Sequence, residues 1–156
     1  MTRVWLFLHL LGFTVWIGGA MAVMVAGVAA KREGREALGA VVRAQSTIYR
    51  VLIGPGALLA VLAGILLTFR NSGTAYPGAD LWLILMQATG VIAGLVTLFI
   101  SVPTAAKLGR LDPMGKEGPY FDELRARQKL VSTVAGLLAL AAMLGGVMVA
   151  HGGMAR

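Results

Sequence analysis

The chain has 156 residues, of which 58% are hydrophobic and only 13% charged, and its mean hydropathy is +0.80. This composition leaves almost no sequence for a soluble domain and predicts an integral membrane protein whose main partner is the lipid bilayer. The formal net charge is +7, but no aromatic residues alternate with the basic ones, so nucleic acid is not an expected partner. Cysteine is absent, which excludes disulfide bonds and thiolate metal sites.

Four long apolar runs follow one another along the chain, at residues 4–30, 51–69, 81–106 and 130–151. Each approaches or exceeds the roughly 20 residues that a helix needs to cross hydrocarbon. The first run is too long for a secretory signal and leads directly into Lys31 and Arg32, so we expect it to be retained. The sequence therefore predicts an all-α protein with one domain, residues 1–156, built as a bundle of four transmembrane helices.

Basic residues are concentrated in the first and third connections between these spans. Eleven lie there: Lys31, Arg32, Arg35, Arg43, Arg50, Lys107, Arg110, Lys116, Arg125, Arg127 and Lys129. The remaining three lie on the other side: Arg3, Arg70 and Arg156. Because Lys and Arg accumulate in cytoplasmic loops, we expect both connections in the cytoplasm and both termini outside.

The first connection and two prolines add detail to this bundle. Apolar residues recur at helical spacing within residues 31–50, which predicts an amphipathic helix at the cytoplasmic interface. Pro55 and Pro103 lie near the inner ends of the second and third spans, where we expect them to kink or loosen the helices.

The two histidines are predicted to lie at the same depth. His9 is 21 residues from the inner end of the first span, and His151 is 21 residues from the inner end of the last. At ~1.5 Å per residue both lie roughly 30 Å from the inner boundary. Gln87 and Arg70, each 19 residues from the inner end of its span, lie at about 28 Å. Every span thus contributes one polar side chain to a layer near the outer face.

This layer suits haem. Two imidazoles on different helices can supply both axial ligands of a haem iron, and we expect His9 and His151 in these roles. Arg70 and Arg3 can pair with the propionates, and Gln87 can hydrogen-bond a ligand or a histidine.

His9 also shares a helix face with aromatic and small residues: Trp5, Gly12, Trp16 and Gly19. Trp16 can pack on a macrocycle, and Gly12 and Gly19 can make room for one, although such glycines equally serve close helix packing.

Other interpretations stay open. His9 can simply hydrogen-bond to Gln87 or to a backbone carbonyl of another helix, and His151 can be an interfacial side chain without a ligand. Alternatively, the two histidines with Met1, Met148 and Met154 bind copper in a membrane transporter. A third possibility is a structural accessory subunit whose glycine-rich faces dock to partner helices.

The segment from Leu8 to Gly19 reads Leu-His-Leu-Leu-Gly-Phe-Thr-Val-Trp-Ile-Gly-Gly. It resembles the first-helix signature of a bacterial family of four-helix membrane proteins of unknown function, which is similar to the copper-resistance protein D domain and to HemJ-type protoporphyrinogen oxidases. The resemblance extends over most of the chain through the stretch from Pro55 to Leu59 with Gly64, the Trp82-Leu83 pair and the basic residues before the last span.

The resemblance implies the bacterial inner membrane and, from the HemJ type, b-type haem (haem b) at His9. From the copper-resistance relatives it implies copper uptake. However, the HemJ type has an aromatic and proline-containing stretch where residues 20–24 here are Ala-Met-Ala-Val-Met, and this difference argues against porphyrinogen oxidation. No nucleophile, carboxylate pair or phosphate loop indicates another enzyme. We favour a small b-type haem membrane protein that passes electrons or serves as an oxidoreductase component, with other redox subunits or a second copy as partners, while the copper transporter and the structural accessory subunit stay open.

Overall fold

The structure is a computed structural model that describes residues 2–71 and 80–151. The described residues form helices joined by short connections and include no β-strand. Four continuous helical stretches are long and apolar enough to cross a membrane: Thr2–Ala29, Arg35–Arg70, Leu81–Leu108 and Gly118–Ala150. The predicted all-α class with four membrane-type helices is therefore confirmed.

Six α-helices make up these stretches: α1 Thr2–Ala29, α2 Arg35–Ile48, α3 Gly54–Asn71, α4 Asp80–Val96, α5 Val102–Leu108 and α6 Gly118–Ala150. Two π-helical segments, Tyr49–Ile53 and Thr97–Ser101, join α2 to α3 and α4 to α5. The second and fourth stretches extend well beyond the predicted spans at their charged ends. Charges end an apolar run, but they do not end a helix.

The predicted amphipathic segment at residues 31–50 is helical over α2. One face is buried, at Leu38, Gly39, Val42 and Ser46, while the opposite face is exposed. α2 then continues into α3 without a break, because the π-helical segment between them preserves helical backbone conformation from Ile48 to Gly54.

Each π-helical segment ends just before a proline. The N–H of Gly54 bonds to the carbonyl of Tyr49, and that of Val102 to the carbonyl of Thr97, so both bonds span five residues. A proline has no N–H, and its ring clashes with the carbonyl four residues earlier in a regular α-helix. The wider π turn accommodates both effects. The loosening predicted at the two prolines thus takes the form of π-helical turns.

Glycines allow the helices to approach closely. α1 packs along α3, where a Cβ on Gly12 would lie 2.6 Å from the backbone nitrogen of Ala60. α4 packs along α6, where a Cβ on Gly145 would lie 3.0 Å from the Cβ of Met86. Gly94 of α4 faces the side chain of Val61 in α3 and so helps to join the two helix pairs. These positions admit no side chain, as close helix packing in membranes requires.

Two clusters of buried residues form the core. The first lies within the membrane-type helices: Trp16, Tyr49, Ile53, Ala57, Ala60, Ala93, Ala105 and Ala139. The second lies where α2, α5 and the first turns of α6 meet: Ala30, Leu38, Val42, Leu108, Phe121 and Leu124. We call the region around this second cluster, including residues 30–34 and 109–117, the basic end.

Contacts across the basic end hold the first and third connections together. Arg35 donates from Nε to the carbonyl of Pro113 at 2.8 Å and from Nη2 to a carboxylate oxygen of Asp122 at 2.7 Å. Phe121 is fully buried beneath them. The two connections predicted to share one side of the membrane are therefore in direct contact.

Candidate functional site

His9 lies on α1 and faces α3. Its Nδ1 is 2.7 Å from the carbonyl oxygen of Ala60, and the side chain is partly buried. Because a carbonyl oxygen can only accept, Nδ1 donates a hydrogen to it, an arrangement that in an uncharged imidazole leaves the lone pair on Nε2. Of the alternatives for His9, the structure shows the hydrogen bond to a backbone carbonyl of another helix.

Gly64 makes the approach of the His9 ring possible. A Cβ at this position would lie 3.0 Å from Cε1 and 3.1 Å from Nδ1 of His9, which is tighter than ordinary side-chain contacts. Since Gly64 follows Ala60 by one helical turn, the two residues together form the surface of α3 on which the imidazole rests. The position of the ring is therefore determined by the shape of α3.

A row of polar contacts continues from Gly64 to α4. Thr68 donates from Oγ1 to the carbonyl of Gly64 at 3.1 Å, and Gln87 donates from Nε2 to Thr68 Oγ1 at 2.9 Å. We call His9, Gly64, Thr68 and Gln87 the His9–Gln87 row. It brings together two of the four residues of the predicted polar layer, on either side of α3, although Gln87 bonds to Thr68 rather than to the imidazole.

His151 lies at the other end of the chain and in a different setting. It follows the last residue of α6, and its exposed ring donates from Nδ1 to the carbonyl of Val147 at 2.9 Å. Nε2 is again the atom without the hydrogen. Among the described residues no hydrogen bond joins His151 to His9, since α6 packs chiefly along α4 and α1 along α3.

The two arginines assigned to the propionates are both exposed. Arg70 is two residues from Thr68 on α3, and Arg3 is six residues from His9 on α1. Both therefore belong to the same ends of their helices as the His9–Gln87 row.

Three residues predicted to accommodate a macrocycle take part in helix packing. Gly12 faces the backbone of Ala60, and a Cβ on Gly19 would lie 2.9 Å from Cγ1 of Ile53. Trp16 is only 5% exposed, and its ring meets the edge of Phe13 at a centroid distance of 6.3 Å. Because α3 fills the space beside Gly12, and the first π-helical segment and the end of α2 fill the space beside Gly19, a macrocycle cannot lie against either glycine in this arrangement. Gly12 and Gly19 instead serve close helix packing, the other role that the sequence left open for them.

Of the three methionines in the copper hypothesis, Met148 lies within the described residues. Met148 is partly buried on α6, three residues before His151, whereas Met1 and Met154 lie outside the described residues. Within the described ranges no three His, Asp or Glu side chains lie together in a way that could hold a metal ion. A metal ion bound in this part of the chain would therefore have at most two such side chains as ligands.

A second polar group, far from the histidines, was not predicted. Gln128 of α6 is buried, and its amide bonds to Ser101 and Ser132, while Ser132 bonds in turn to Tyr49. Gln128 stands in a run of charged residues, so hydropathy gave no reason to place it in the interior. Its position on the same face as Phe121 and Leu124, at offsets of seven and four, was the signal available.

Comparison with known proteins found no match to a family model, to a curated protein or to a solved structure. The chemistry of the site therefore follows from its fold and its donor atoms.

Proposed function

We propose that this chain is a small b-type haem membrane protein in which His9 ligates the iron through Nε2. It would act in electron transfer or as the haem-binding subunit of a larger redox assembly. The observation that carries the proposal is the 2.7 Å hydrogen bond from His9 Nδ1 to the carbonyl of Ala60.

This bond is the kind that accompanies metal ligation. A histidine that ligates a metal usually donates its other ring N–H to a carbonyl or carboxylate, which fixes the tautomer and the orientation of the ring. In His9 the bond leaves Nε2 as the only basic nitrogen. A histidine within a membrane helix is also costly unless it has a partner or a function. The donor chemistry of His9 therefore fits an axial ligand.

The other residues of the proposed site would complete it through the groups that they carry. His151, whose Nδ1 is likewise bound to a carbonyl, would supply a second imidazole to the iron. The exposed guanidinium groups of Arg3 and Arg70 pair with the propionates. Since other helical segments occupy the space beside Gly12 and Gly19, the macrocycle would lie on another side of His9. When bound, the haem supplies one-electron transfer.

The proposed location is the bacterial inner membrane, with both termini and the haem near the outer face. The excess of basic residues in the first and third connections supports this orientation. The contact between Arg35 and Asp122, which belong to these two regions, agrees with their lying on one side.

Haem titration into purified protein tests the role of His9. His9→Gln keeps a donor that can reach the Ala60 carbonyl but lacks the imidazole, and His9→Ala loses both. We expect both variants to lose stoichiometric haem binding, and His9→Gln to retain more of the wild-type melting temperature. Stoichiometric binding by His9→Ala would refute the proposed ligand. We expect His151→Ala to lose only one of the two iron ligands, which a high-spin spectrum would show.

A structural accessory subunit is the second candidate, because Gly18 in the interior of α1 and Gly136 in the interior of α6 pack against no other helix in the described part of the chain. A Cβ on either would meet no atom of the described residues within 4 Å. Glycine in a helix interior is unfavourable relative to alanine, whereas at a helix interface in a membrane it allows close approach. On this hypothesis Gly18→Leu abolishes co-purification of a larger complex without unfolding the protein. Unchanged assembly in Gly18→Leu and Gly136→Leu would eliminate it.

A further inference from the structure

The buried polar group near the basic end is formed by four side chains, which we call the Gln128 cluster: Tyr49, Ser101, Gln128 and Ser132. Gln128 is 8% exposed, and its Nε2 donates to the carbonyl of Ser101 at 3.1 Å and to Ser132 Oγ at 3.3 Å. Tyr49 and Ser132 share a hydrogen bond of 2.7 Å between their hydroxyl oxygens. The cluster thus connects α6 with both π-helical segments.

Two atoms of the cluster have no hydrogen-bond partner among the described residues. They are Oγ of Ser101, whose residue is 1% exposed, and Oε1 of Gln128. Buried polar atoms in native proteins are nearly always paired, with protein groups or with ordered water. These two atoms do not pair with each other, so a third group is needed to satisfy both.

The hydrogen-bonding capacity of the cluster defines what that group must be. Both N–H bonds of the Gln128 amide are directed at Ser101 and Ser132, and Oε1, as an amide oxygen, can only accept. The Ser101 hydroxyl has one hydrogen to donate. A group that donates to Oε1 and accepts from Ser101 satisfies both atoms, and a water molecule can do so at once.

A cation fits less well. A hard cation requires about six oxygen ligands, and a charge buried in a membrane protein requires a compensating one. The four members of the Gln128 cluster include no carboxylate. Neutral hydrogen-bonding groups with one acceptor and one donor left over favour water.

We propose that the Gln128 cluster binds one water molecule, which donates to Gln128 Oε1, accepts from Ser101 Oγ and so ties the second π-helical segment to α6. The π turn ending at Ser101 places this residue against Gln128, where its carbonyl also accepts from the amide. With this water, the Gln128 cluster links both π-helical segments to α6 through hydrogen bonds.

A double-mutant cycle on melting temperature tests the shared water. We compare Ser101→Ala, Gln128→Met and the double variant in detergent. Each single substitution is expected to lower the melting temperature by about 2–4 °C, and the double variant by less than the sum, because both changes remove the same bridge. Strictly additive losses would overturn the proposal. Ser101→Ala with Thr133→Val is the control pair, since the Thr133 hydroxyl bonds only within α6, to Lys129 at 2.9 Å, and these two should be additive.

Two measurements on the wild-type protein separate water from the other possibilities. Replacing sodium by choline should leave the melting temperature unchanged, and a sodium-dependent rise that Ser101→Ala abolishes would overturn the proposal in favour of a cation. A high-resolution experimental structure should show a water within about 3.2 Å of both atoms. A Ser101 hydroxyl turned onto a carbonyl of its own helix, with no density between it and Gln128, would overturn the proposal even if Gln128→Met failed to fold.

Discussion

The imidazole of His9 and the carbonyl of Ala60 are joined by a 2.7 Å hydrogen bond between α1 and α3. This bond determines which ring nitrogen carries the hydrogen and which has the lone pair. It also ties the imidazole to a surface of α3 that only a glycine at position 64 permits. The proposed ligand is thus positioned by the packing of two helices.

The ring position should be sensitive to a single methyl group at position 64. We expect Gly64→Ala to destabilise the protein by about 1–3 kcal/mol, since the new Cβ would press on Cε1 of His9 at 3.0 Å. Haem affinity should fall with it, because the Ala60 bond is strained or lost. Thermal unfolding and haem titration in detergent measure the two effects.

Gly136→Ala is the matched control for this substitution. A Cβ there meets nothing within 4 Å, so the change should be neutral or stabilising by up to about 1 kcal/mol. Equal effects of the two substitutions would show that the contact between Gly64 and His9 does not exist.

Gln87 is expected to be a structural link between α4 and α3. Gln87→Leu removes its hydrogen bond to Thr68, which should cost about 0.5–1.5 kcal/mol of stability. Haem binding should be retained, because the amide is directed at Thr68 and not at the imidazole. Thr89→Val, whose hydroxyl bonds to Leu85 on its own helix, should have little effect on stability. Loss of haem in Gln87→Leu at normal stability would instead make Gln87 part of the haem site.

The two bonds of Arg35 at the basic end should contribute unequally. Asp122→Asn should cost at most ~1 kcal/mol, since both partners of this ion pair are about half exposed and water and salt screen them. Arg35→Ala should cost about 1–2 kcal/mol, because it also removes the bond to the Pro113 carbonyl. Unfolding at low and high salt measures the difference. The loss in Asp122→Asn should shrink in high salt, and a larger loss in Asp122→Asn than in Arg35→Ala would contradict this assignment.

Hydropathy and proline positions were sufficient to predict the four membrane-type helices and the loosened turns. They could not predict that α2 continues into α3, because the charged residues between Lys31 and Arg50 interrupt the apolar pattern without interrupting the helix. Backbone hydrogen bonding, which hydropathy does not measure, sets that boundary.

The depth estimate placed His9 and Gln87 in one layer, and the structure connects them through Gly64 and Thr68. The two connecting residues could not be predicted, since the rotation of α3 about its axis decides which of its residues face α1 and α4. For the same reason the sequence could not show that Gly12 contacts the α3 backbone. Equal depth does not imply contact, and His151 illustrates this: its bond is to Val147 on its own helix.

The reduced-minus-oxidised absorption spectrum of the protein purified from cells that make haem is the most direct test of haem ligation by His9. We expect the bands of a six-coordinate b-type haem in the wild-type protein and their absence in His9→Ala. A wild-type protein that folds with the expected helical content but shows no haem band, or a full band in His9→Ala, would contradict it.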